Sequence, residues 1–316
     1  MAYITFTIMH VHYNFDLYSV QNAVVTVGSF DGIHLGHFEI LKHLLVKAAE
    51  LSSESVVVTF SPHPRSVINP NHKIELLTTL DEKIELLRTI GINHLVIIPF
   101  TLEFAKLSAC DFIEQILVKK LHIKHLVVGF NHHFGRNREG DLAKLRECGE
   151  PYGFSIEKCE AFGFGDENIS SSKIRNALYE GNIEKVSKYL NRFYMLKGTV
   201  IYGNQIGRTL GFPTANLKLS EAHKILPKNG AYAVKVKTVT GTYGGMLNIG
   251  YRPTLLNTSN LSIEVHLFDF DSNIYEEIIE VYFVKKIRDE IKFESAEALK
   301  KQLASDKLEA KYLLTL

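Results

Sequence analysis

Short β-branched runs alternate with amphipathic stretches over the first half of the chain, from Val24 to about Glu160. Between the runs, apolar side chains recur at helical spacing, as they do from Phe38 to Ala48. Nearly continuous apolar strands separated by helices are typical of a parallel sheet that is covered on both faces. The pattern therefore predicts a Rossmann-like α/β domain. Its predicted strands are Val24–Gly28, Ser55–Ser61, His94–Phe100, His125–Phe130 and Phe154–Cys159.

After Asn191 the pattern changes to strands joined by turns, of which Thr240-Gly241 is one. Successive strands without helices between them predict an antiparallel barrel or sandwich. A closing helix is predicted from about Ser295 to Leu314, because the Ser295 side chain can cap it and Glu297 suits its first turn. The predicted strands of this half are Lys197–Gly203, Ala231–Val239, Tyr243–Ile249, Ile263–Phe270 and Ile278–Lys285.

Two helices are predicted where the two patterns meet, over Ser170–Tyr179 and Ile183–Leu190, and Gly181-Asn182 suits the end of the first. A chain of 316 residues exceeds what one hydrophobic core usually organises, so its length favours two domains. We place the boundary near Ser187, which gives domains of residues 1–186 and 187–316.

The chain carries 36 Lys and Arg against 35 Asp and Glu, a net charge of +1. That balance gives no electrostatic reason to expect nucleic acid or an anionic membrane as a partner. The N-terminal segment mixes histidines and acids into its apolar positions, unlike a signal peptide, and no later run approaches the roughly 20 apolar residues of a membrane span. A cytoplasmic chain is expected.

Three cysteines, Cys110, Cys148 and Cys159, are odd in number and form no CxxC pair. This usage argues against a disulfide framework and against a zinc knuckle. It fits a reducing compartment.

The first candidate site lies where the strand Val24–Gly28 is followed by the turn Ser29–Gly32 and by a helix that begins near Leu35. This arrangement aims free backbone N–H groups and the positive end of a helix dipole at one point, which favours a bound phosphate. His34 and His37 share a face of the helix start, so both can donate to that phosphate. Zinc ligation or an ordinary surface position are the alternatives, although neither an HExxH pattern nor a nearby Cys supports zinc.

The string GSFDGIHLGH, from Gly28 to His37, resembles the nucleotidyltransferase superfamily through its HxGH part and the FAD synthetase family as a whole. Three further segments resemble the remaining motifs of that family in the right order, and each lies where a strand end and a helix start converge. These segments are Thr59–Pro64, Val128–Gly135 and Ile169–Arg175. Asn131 stands where some relatives have Asp, and Lys173 stands where an Arg is common.

The resemblance implies transfer of AMP from ATP to FMN, with release of pyrophosphate and with magnesium as the expected cofactor. The FMN phosphate would attack the α-phosphorus in line, and positioning and charge stabilisation would dominate catalysis. The implied catalytic residues are His34, His37, Asn131 and Arg175. The implied ligands are Gly28, Ser29, Phe30, Asp31, His34, His37, Ser171 and Arg175 for ATP, and Phe60, Pro62, His63, Pro64 and Asn131 for FMN. His63 could instead only stabilise a turn, and the roles of His132 and His133 stay open.

The second candidate site lies in Lys197–Leu217, which begins as a strand and becomes a glycine-rich loop. Gly203–Thr209 looks like a P-loop, but its spacing is short, Arg208 replaces the Lys and no amphipathic helix follows, so a Walker ATPase is not expected. The loop can still hold phosphates through its backbone N–H groups. Thr214 and Asn216 supply oxygen ligands that suit magnesium, although Pro-Thr-Ala-Asn is also a common turn composition.

Glu264 has the clearest chemical role among the later residues of this half. In an alternating strand it shares a face with His266 and Phe268. A carboxylate there could accept the proton of an attacking hydroxyl. From its strand position alone, a solvated charge is the more common outcome.

The segment GRTLGFPTANL, Gly207–Leu217, resembles the riboflavin kinase signature, and Asn248–Thr254, Ile263–Phe270 and Ile287–Phe293 continue the resemblance in order. It implies that Glu264 is the general base for the 5′-hydroxyl of riboflavin, which attacks the γ-phosphate of ATP. Thr214 and Asn216 would also hold magnesium, and Arg288 would close over the flavin. The implied ATP and flavin ligands are Gly203, Gly207, Arg208, Gly211, Thr214, Asn216 and Arg288.

The two resemblances cover the chain from about Val24 to Asp306 and predict one enzyme that converts riboflavin to FMN and FMN to FAD. Glu276 stands where the kinase family usually has Gly, so the local turn could differ. One alternative is a nucleotidyltransferase for another phosphorylated precursor with a β-domain that only binds ligand. Another is a flavin-binding sensor without turnover. The sequence carries no signal for oligomeric state, domain orientation, direct FMN transfer, the slower step or the preferred flavin redox state.

Overall fold

The computed structural model of the chain describes residues 8–71, 74–130, 134–136, 139–164, 167–203, 206–252 and 260–315. The chain divides into two compact units, Met1–Ser171 and Ser172–Leu316. The first contains a parallel sheet and the second a closed antiparallel barrel, so the predicted fold class is confirmed. The domain boundary between residues 186 and 187 stays a prediction.

Six strands form the sheet of the first unit, and all their pairings are parallel. They are β1 His10–Tyr13, β2 Ala23–Val27, β3 Ser55–Ser61, β4 His94–Pro99, β5 Ile123–Val128 and β6 Ser155–Lys158. Their order across the sheet is β1-β4-β3-β2-β5-β6. The apolar runs therefore predicted β2 to β6 correctly. The edge strand β1 was not predicted, because its short, histidine-rich sequence contains no continuous apolar run.

Helices cover both faces of this sheet. They are α1 Leu35–Glu50, α2 Pro64–Ile68, α3 Leu80–Ile90, α4 Ala109–Phe112 and α5 Leu142–Gly149. A π-helical turn, Ile113–Val118, follows α4, and 3₁₀ turns lie at Phe104–Lys106 and Glu150–Tyr152. The unit also contains a small strand pair, β7 Gly163–Phe164 and β8 Glu167–Asn168. Leu41 of α1 and Leu87 of α3 are buried on one face, whereas Phe112 of α4 and Leu145 of α5 are buried on the other. Each such side chain contributes about 1.5–3 kcal/mol through burial.

The strand order changes direction beside β2. From β2 the chain moves to β3 on one side, and it later returns to β5 on the other side. In a doubly wound sheet, the crevice for a ligand opens at the carboxyl ends of the strands at this switch point. The turn after β2 lies there, which is where the GSFDGIHLGH motif was expected to act.

One prediction about the cysteines is wrong, because Cys110 and Cys148 form a disulfide with their Cα atoms 5.3 Å apart. Cys110 lies in α4 and Cys148 lies in α5, and the packing of these two helices brings the cysteines together across 38 positions of sequence. Cys159 is a buried free thiol. A count of cysteines and a search for CxxC report nothing about such a long-range contact, because only the fold creates it.

Six antiparallel strands close into the barrel of the second unit. They are β9 Tyr194–Ile201, β10 Ala215–Leu219, β11 Gly230–Thr238, β12 Gly241–Arg252, β13 Asn260–Leu267 and β14 Ile278–Asp289. Their order around the barrel is β10-β13-β12-β11-β14-β9, and the pairing of β9 with β10 completes the circle. Closure removes the free edges that an open sheet would expose.

The remaining helices are α6 Ser171–Glu180, α7 Ile183–Leu190, α8 Ile206–Thr209 and α9 Ala296–Leu313. Helix α9 packs on the barrel through Ala310, which belongs to a buried cluster with Met246 and Phe268. The Ser295 side chain caps α9 by accepting the backbone N–H of Ala298, as predicted. Helix α8 is a single turn in a segment that the sequence presented as a loop.

Arg288 ties the end of β14 to α9. Its Nε lies 3.0 Å from both carboxylate oxygens of Asp306, and its Nη2 lies 2.8 Å from Oδ2 of the same residue. Asp306 is only 2% exposed, and charge-assisted bonds of this kind satisfy a buried carboxylate. The guanidinium is therefore engaged within the fold, and its predicted contact with a flavin stays a prediction.

A buried lysine supports the turn that follows β2. Lys83 of α3 donates from Nζ to the backbone oxygen of Ser29 at 2.7 Å and to the Thr59 hydroxyl at 3.1 Å. Burial lowers the pKa of Lys83 to about 8, and the Asp31 carboxylate opposes that change. Because Thr59 belongs to β3, this side chain joins the turn to the neighbouring strand.

We expect Lys83 to titrate in the folded protein at a pKa of about 8, below the usual 10.5. Carbon NMR of lysine-labelled protein measures this titration, and Lys83→Met identifies the resonance. Between these two values the folded state binds fewer protons than the unfolded state, so the contribution of Lys83 to stability increases as the pH rises. The free energy of unfolding of the wild type should gain about 3 kcal/mol relative to Lys83→Met over this window.

Lys42 of α1 provides the control, since its side chain is 63% exposed. The stability difference between the wild type and Lys42→Met should not change with pH. An equally constant difference for Lys83→Met, or a Lys83 resonance that titrates at the ordinary lysine value, would contradict the buried charge.

Two candidate active sites

Helix α1 begins with a histidine pair. His34 is the N-cap residue, and its Nδ1 accepts the backbone N–H of His37 at 3.3 Å. The two rings stack with their centroids 3.7 Å apart. Because Nδ1 of His34 accepts a bond, the neutral ring carries its proton on Nε2. The pair therefore adds ring donors to the positive end of the helix dipole, where an anion is favoured.

The glycines of the first motif make room for aromatic rings and for a tight turn. A Cβ on Gly36 would lie 3.2 Å from Nδ1 of His34, and a Cβ on Gly28 would lie 3.1 Å from the Phe30 ring. Gly32 has a φ of 91°, which side chains with a Cβ rarely adopt. The spacing of glycines in GSFDGIHLGH thus follows from the packing of the turn itself.

Asp31 and Phe30 are buried beneath this turn. Asp31 is 2% exposed, and its carboxylate accepts the backbone N–H groups of Leu77 and Thr78 at 3.0 and 3.1 Å. The Ser171 hydroxyl donates to the backbone oxygen of Asp31 at 2.9 Å. These contacts show how the three predicted residues Asp31, Phe30 and Ser171 shape the turn. Their direct contact with ATP stays a prediction.

Two residues of this site were missed by the sequence analysis. The Thr78 hydroxyl accepts the backbone N–H of Gly32 at 3.0 Å, and Lys83 holds the backbone oxygen of Ser29. The available signal was the position of Lys83 on the apolar face of α3, four residues before the buried Leu87. A lysine side chain rarely faces a hydrophobic core unless it has a polar partner.

The segment after β3 combines aromatic packing with a helix cap. Phe60 packs against Phe100 and Phe104, with ring centroids 5.5 and 5.8 Å away. His63 is the N-cap of α2, where its Nδ1 accepts the backbone N–H of Arg65 at 3.2 Å. This cap is the turn-stabilising role that the sequence left open for His63. The predicted FMN residues in this segment are Phe60, Pro62, His63 and Pro64, from the end of β3 into α2.

Two predicted residues of the first site stand apart from this group. Asn131 lies outside the described residues, as do His132 and His133. Arg175 lies in the second turn of α6, within the second unit. The structure brings together the turn, the histidine pair and Ser171, while the roles of Asn131 and Arg175 stay predictions.

In the barrel, Glu264 lies among polar side chains from neighbouring strands. The Thr214 hydroxyl donates to Oε2 of Glu264 at 3.1 Å. Asn216 of β10 and Asn248 of β12 are the residues directly opposite Glu264 in β13, so all three face the same side of the sheet. Asn248 was not among the predicted site residues. Hydroxyl, amide and carboxylate oxygens are the ligands that Mg²⁺ prefers, so this group fits the predicted metal.

The Pro213–Asn216 segment is more than a turn, because Ala215 and Asn216 begin β10. The Pro213 carbonyl accepts a hydrogen bond from Nδ1 of His266 at 2.7 Å. Burial lowers the pKa of His266, which favours the neutral ring with its proton on Nδ1. His266 therefore fixes the backbone just before Thr214, a positioning role that the sequence analysis did not assign.

Glycines hold the loop between β9 and β10 close to the strand that follows it. A Cβ on Gly203 would overlap the Asn216 amide, and a Cβ on Gly207 would overlap the backbone oxygen of Phe212. Gly211 has a φ of 86°, which favours glycine. The two residues between Gly203 and α8 lie outside the described residues. The loop backbone can thus approach both Asn216 and a ligand.

A cavity of about 450 Å³ opens beside Thr214. Its lining includes Arg208 and Tyr275, and the Tyr275 ring stacks on that of Tyr202 with centroids 3.8 Å apart. Sites for small molecules usually measure roughly 300–1,000 Å³. The cavity is therefore large enough to hold a substrate, and Thr214, which bonds to Glu264, is one of its lining residues.

Glu276 keeps a backbone conformation that usually requires glycine. Its φ is 69°, and its backbone N–H donates to the Val200 oxygen at 2.8 Å. A residue with a Cβ pays roughly 1–2 kcal/mol in this left-handed region. Glu276 stands where the kinase family usually has Gly, and its backbone beside the cavity is nevertheless left-handed.

Two family models match the chain, one on each half. A model described as FAD synthetase matches residues 18–173, and a model described as riboflavin kinase matches residues 190–314. The first match includes strands β2 to β6 of the sheet and the histidine pair, and the second includes the barrel and Glu264. Both resemblances drawn from the motifs are thereby confirmed.

Several known proteins are similar over nearly the whole chain. The bifunctional riboflavin kinase/FMN adenylyltransferase of Buchnera aphidicola subsp. Acyrthosiphon pisum is 40% identical over 288 residues, which are 90% of this chain and 91% of that protein. The Haemophilus influenzae protein of the same name is also 40% identical, over 91% of this chain and 92% of its own. A crystal structure described as a macrolide-efflux protein from Streptococcus pneumoniae matches with a TM-score of 0.87, 30% identity and coverage of 96% and 98%.

In the part of the chain that the structure describes, no helix combines the length and the apolar character needed to cross a membrane. The efflux description belongs to the streptococcal protein, whereas both family models and both relatives at 40% identity name flavin-nucleotide synthesis. The chain therefore belongs to the family of bifunctional riboflavin kinase/FMN adenylyltransferases.

Proposed function

We propose that the chain makes FAD from riboflavin in two ATP-dependent steps, with residues 187–316 as the kinase domain and residues 1–186 as the adenylyltransferase domain. The observation that carries this proposal is the bond between the Thr214 hydroxyl and Oε2 of Glu264, 3.1 Å long. The bond orients the carboxylate through Thr214, which follows the glycine-rich loop and also lines a cavity of substrate size. A solvated surface glutamate would have no such setting.

In the kinase step, Glu264 accepts the proton of the riboflavin 5′-hydroxyl while that oxygen attacks the γ-phosphorus of ATP. The O–H bond breaks as the new P–O bond forms, and ADP leaves. Thr214 holds the orientation of the carboxylate, and His266 fixes the backbone that presents Thr214. Arg208 in the cavity lining and the glycine loop bind the phosphates of ATP.

Magnesium is the metal that the second site fits best, because its oxygen donors are of the hard type that Mg²⁺ prefers. Thr214 and Asn216 would hold the ion, with their side chains on the face that also carries Glu264. When bound, the ion neutralises charge on the phosphate oxygens during transfer.

In the adenylyl-transfer step, the FMN phosphate attacks the α-phosphorus of ATP and pyrophosphate leaves. His34 and His37 stabilise negative charge on the triphosphate from the start of α1, where the helix dipole assists them. Arg175 adds a cation and Asn131 orients a phosphate oxygen. His34 also caps the helix, so His37 is the residue whose replacement tests chemistry with less effect on folding.

The FMN side of this site is proposed to lie along the segment after β3. Phe60 and the neighbouring Phe100 and Phe104 give an aromatic surface of the kind that a flavin ring packs against. Pro62 and Pro64 flank the His63 cap and restrict the backbone of this segment.

Glu264→Gln should slow FMN formation by about 100-fold or more, since the amide cannot take the proton of the attacking hydroxyl. Conversion of supplied FMN to FAD should remain unchanged, because that step uses the other domain. Chromatographic separation of flavins after incubation with ATP, magnesium and either riboflavin or FMN measures both steps. Glu294→Gln, at an exposed glutamate of the same domain, is the control and should keep both activities. Loss of both steps in a folded Glu264→Gln protein would refute the division of labour.

His37→Gln should show the reverse pattern. FAD formation from FMN should fall by about 100-fold because one charge-stabilising donor is lost, while FMN should accumulate from riboflavin at the normal rate. The same flavin separation measures the result. His122→Gln changes an exposed histidine of the same domain and should leave both steps intact. Normal FAD synthesis by His37→Gln would remove the histidine pair from the mechanism.

A further inference from the structure

A group of metal-ligating side chains that the proposed mechanism does not use lies at the β6 edge of the parallel sheet. His43 of α1, Glu157 of β6 and Cys159 just after β6 offer ligand atoms that all lie within 4.8 Å of one another. Nδ1 of His43 lies 2.8 Å from Oε1 of Glu157. We propose that these three residues, together with His125 of β5, bind one Zn²⁺ ion.

His125 supplies the independent observation that points to a ligand. Its side chain is 8% exposed, and its Nδ1 is bonded to the Ser155 hydroxyl at 2.6 Å. Its Nε2 is buried without a hydrogen-bond partner and lies 3.6 Å from Oε2 of Glu157, beyond hydrogen-bond distance. A metal-bound histidine usually has its second ring nitrogen hydrogen-bonded to a neighbour, as Nδ1 of His125 is to Ser155, and this leaves Nε2 for the ion.

The register of the two edge strands explains why these groups meet. His125 pairs with Ser155, and Val127 pairs with Glu157, so alternate residues of β5 and β6 point to one face. Val127 and Cys159 belong to the buried cluster on the face that α1 covers. His43 reaches the same place from α1, since its Nδ1 contacts Glu157.

A network of ion pairs is the competing explanation for this cluster. Lys47 of α1 has its Nζ 3.9 Å from Oε2 of Glu157, but it lies much closer to Glu50, at 2.6 Å. Ion pairing with Lys47 therefore explains only part of the surroundings of the Glu157 carboxylate. It leaves Nε2 of His125 without a hydrogen bond, 3.6 Å from the Glu157 carboxylate, and it does not involve the free thiol of Cys159.

The donor set selects the class of metal. Two imidazoles, one carboxylate and one thiolate suit Zn²⁺, whereas Mg²⁺ prefers oxygen ligands alone. Four protein ligands would fill a tetrahedral shell and leave no open position, which is the form of a structural rather than a catalytic zinc site. The bound ion would join α1 to β5 and β6 and so stabilise the helix whose first turn carries the histidine pair.

Cobalt is the probe for this site, because tetrahedral Co²⁺ with a thiolate ligand has a charge-transfer band in the near ultraviolet and strong visible bands. The full chain is stripped of metal with a chelator, kept reduced with a phosphine and titrated with Co²⁺. One equivalent should bind with these bands, and Zn²⁺ should displace it. Cys159→Ser should abolish the charge-transfer band, and His125→Gln should weaken Co²⁺ binding about tenfold or more.

Two control variants separate this site from adventitious binding. His223→Gln, at an exposed histidine of the barrel, and the double variant Cys110→Ser/Cys148→Ser should both keep the spectrum. If Cys159→Ser does not fold, as judged by circular dichroism, His43→Gln replaces it, because the His43 side chain is about half exposed, and this variant should weaken Co²⁺ binding. Absence of the bands in the wild type, or their persistence in Cys159→Ser, would overturn the proposal and leave the assigned flavin chemistry untouched.

Discussion

The turn of the first candidate site depends on two buried charged groups that hold its backbone in place. The Asp31 carboxylate accepts backbone N–H groups of Leu77 and Thr78, while the Lys83 ammonium holds the backbone oxygen of Ser29. Each buried polar group left without a partner would cost about 1–3 kcal/mol, so the turn has one favourable shape. That shape orients the start of α1, where His34 caps the helix.

In the barrel, strand pairing rather than a buried charge positions the residues of the candidate site. Asn216 and Asn248 face Glu264 because they are its partners across neighbouring strands, and Thr214 bonds to the carboxylate directly. His266 then fixes the residue before Thr214 through the Pro213 carbonyl. In both halves, therefore, a polar residue from another segment of the chain holds the motif in position.

Resemblance to a motif does not show whether a residue contacts the substrate or stabilises the fold. Asp31 and His63 lie in segments that are predicted to bind ATP and FMN, yet their side chains bond to backbone N–H groups and stabilise a turn and a helix start. Arg288 belongs to a kinase motif, yet its guanidinium bonds to the buried Asp306. A turn or a helix end needs the same polar residue types as a phosphate, because all of them are bound through hydrogen bonds. Only the contacts of each side chain distinguish the two uses.

The sequence by itself determined the two-domain organisation, most strands and the two sets of motifs, because apolar periodicity and glycine spacing are local properties of the chain. Tertiary structure alone decided the contacts between distant residues. These include the Lys83 contact with Ser29, the disulfide between Cys110 and Cys148, and the convergence of His43, His125, Glu157 and Cys159. Each joins separate elements, and a linear pattern carries no information about which elements pack together.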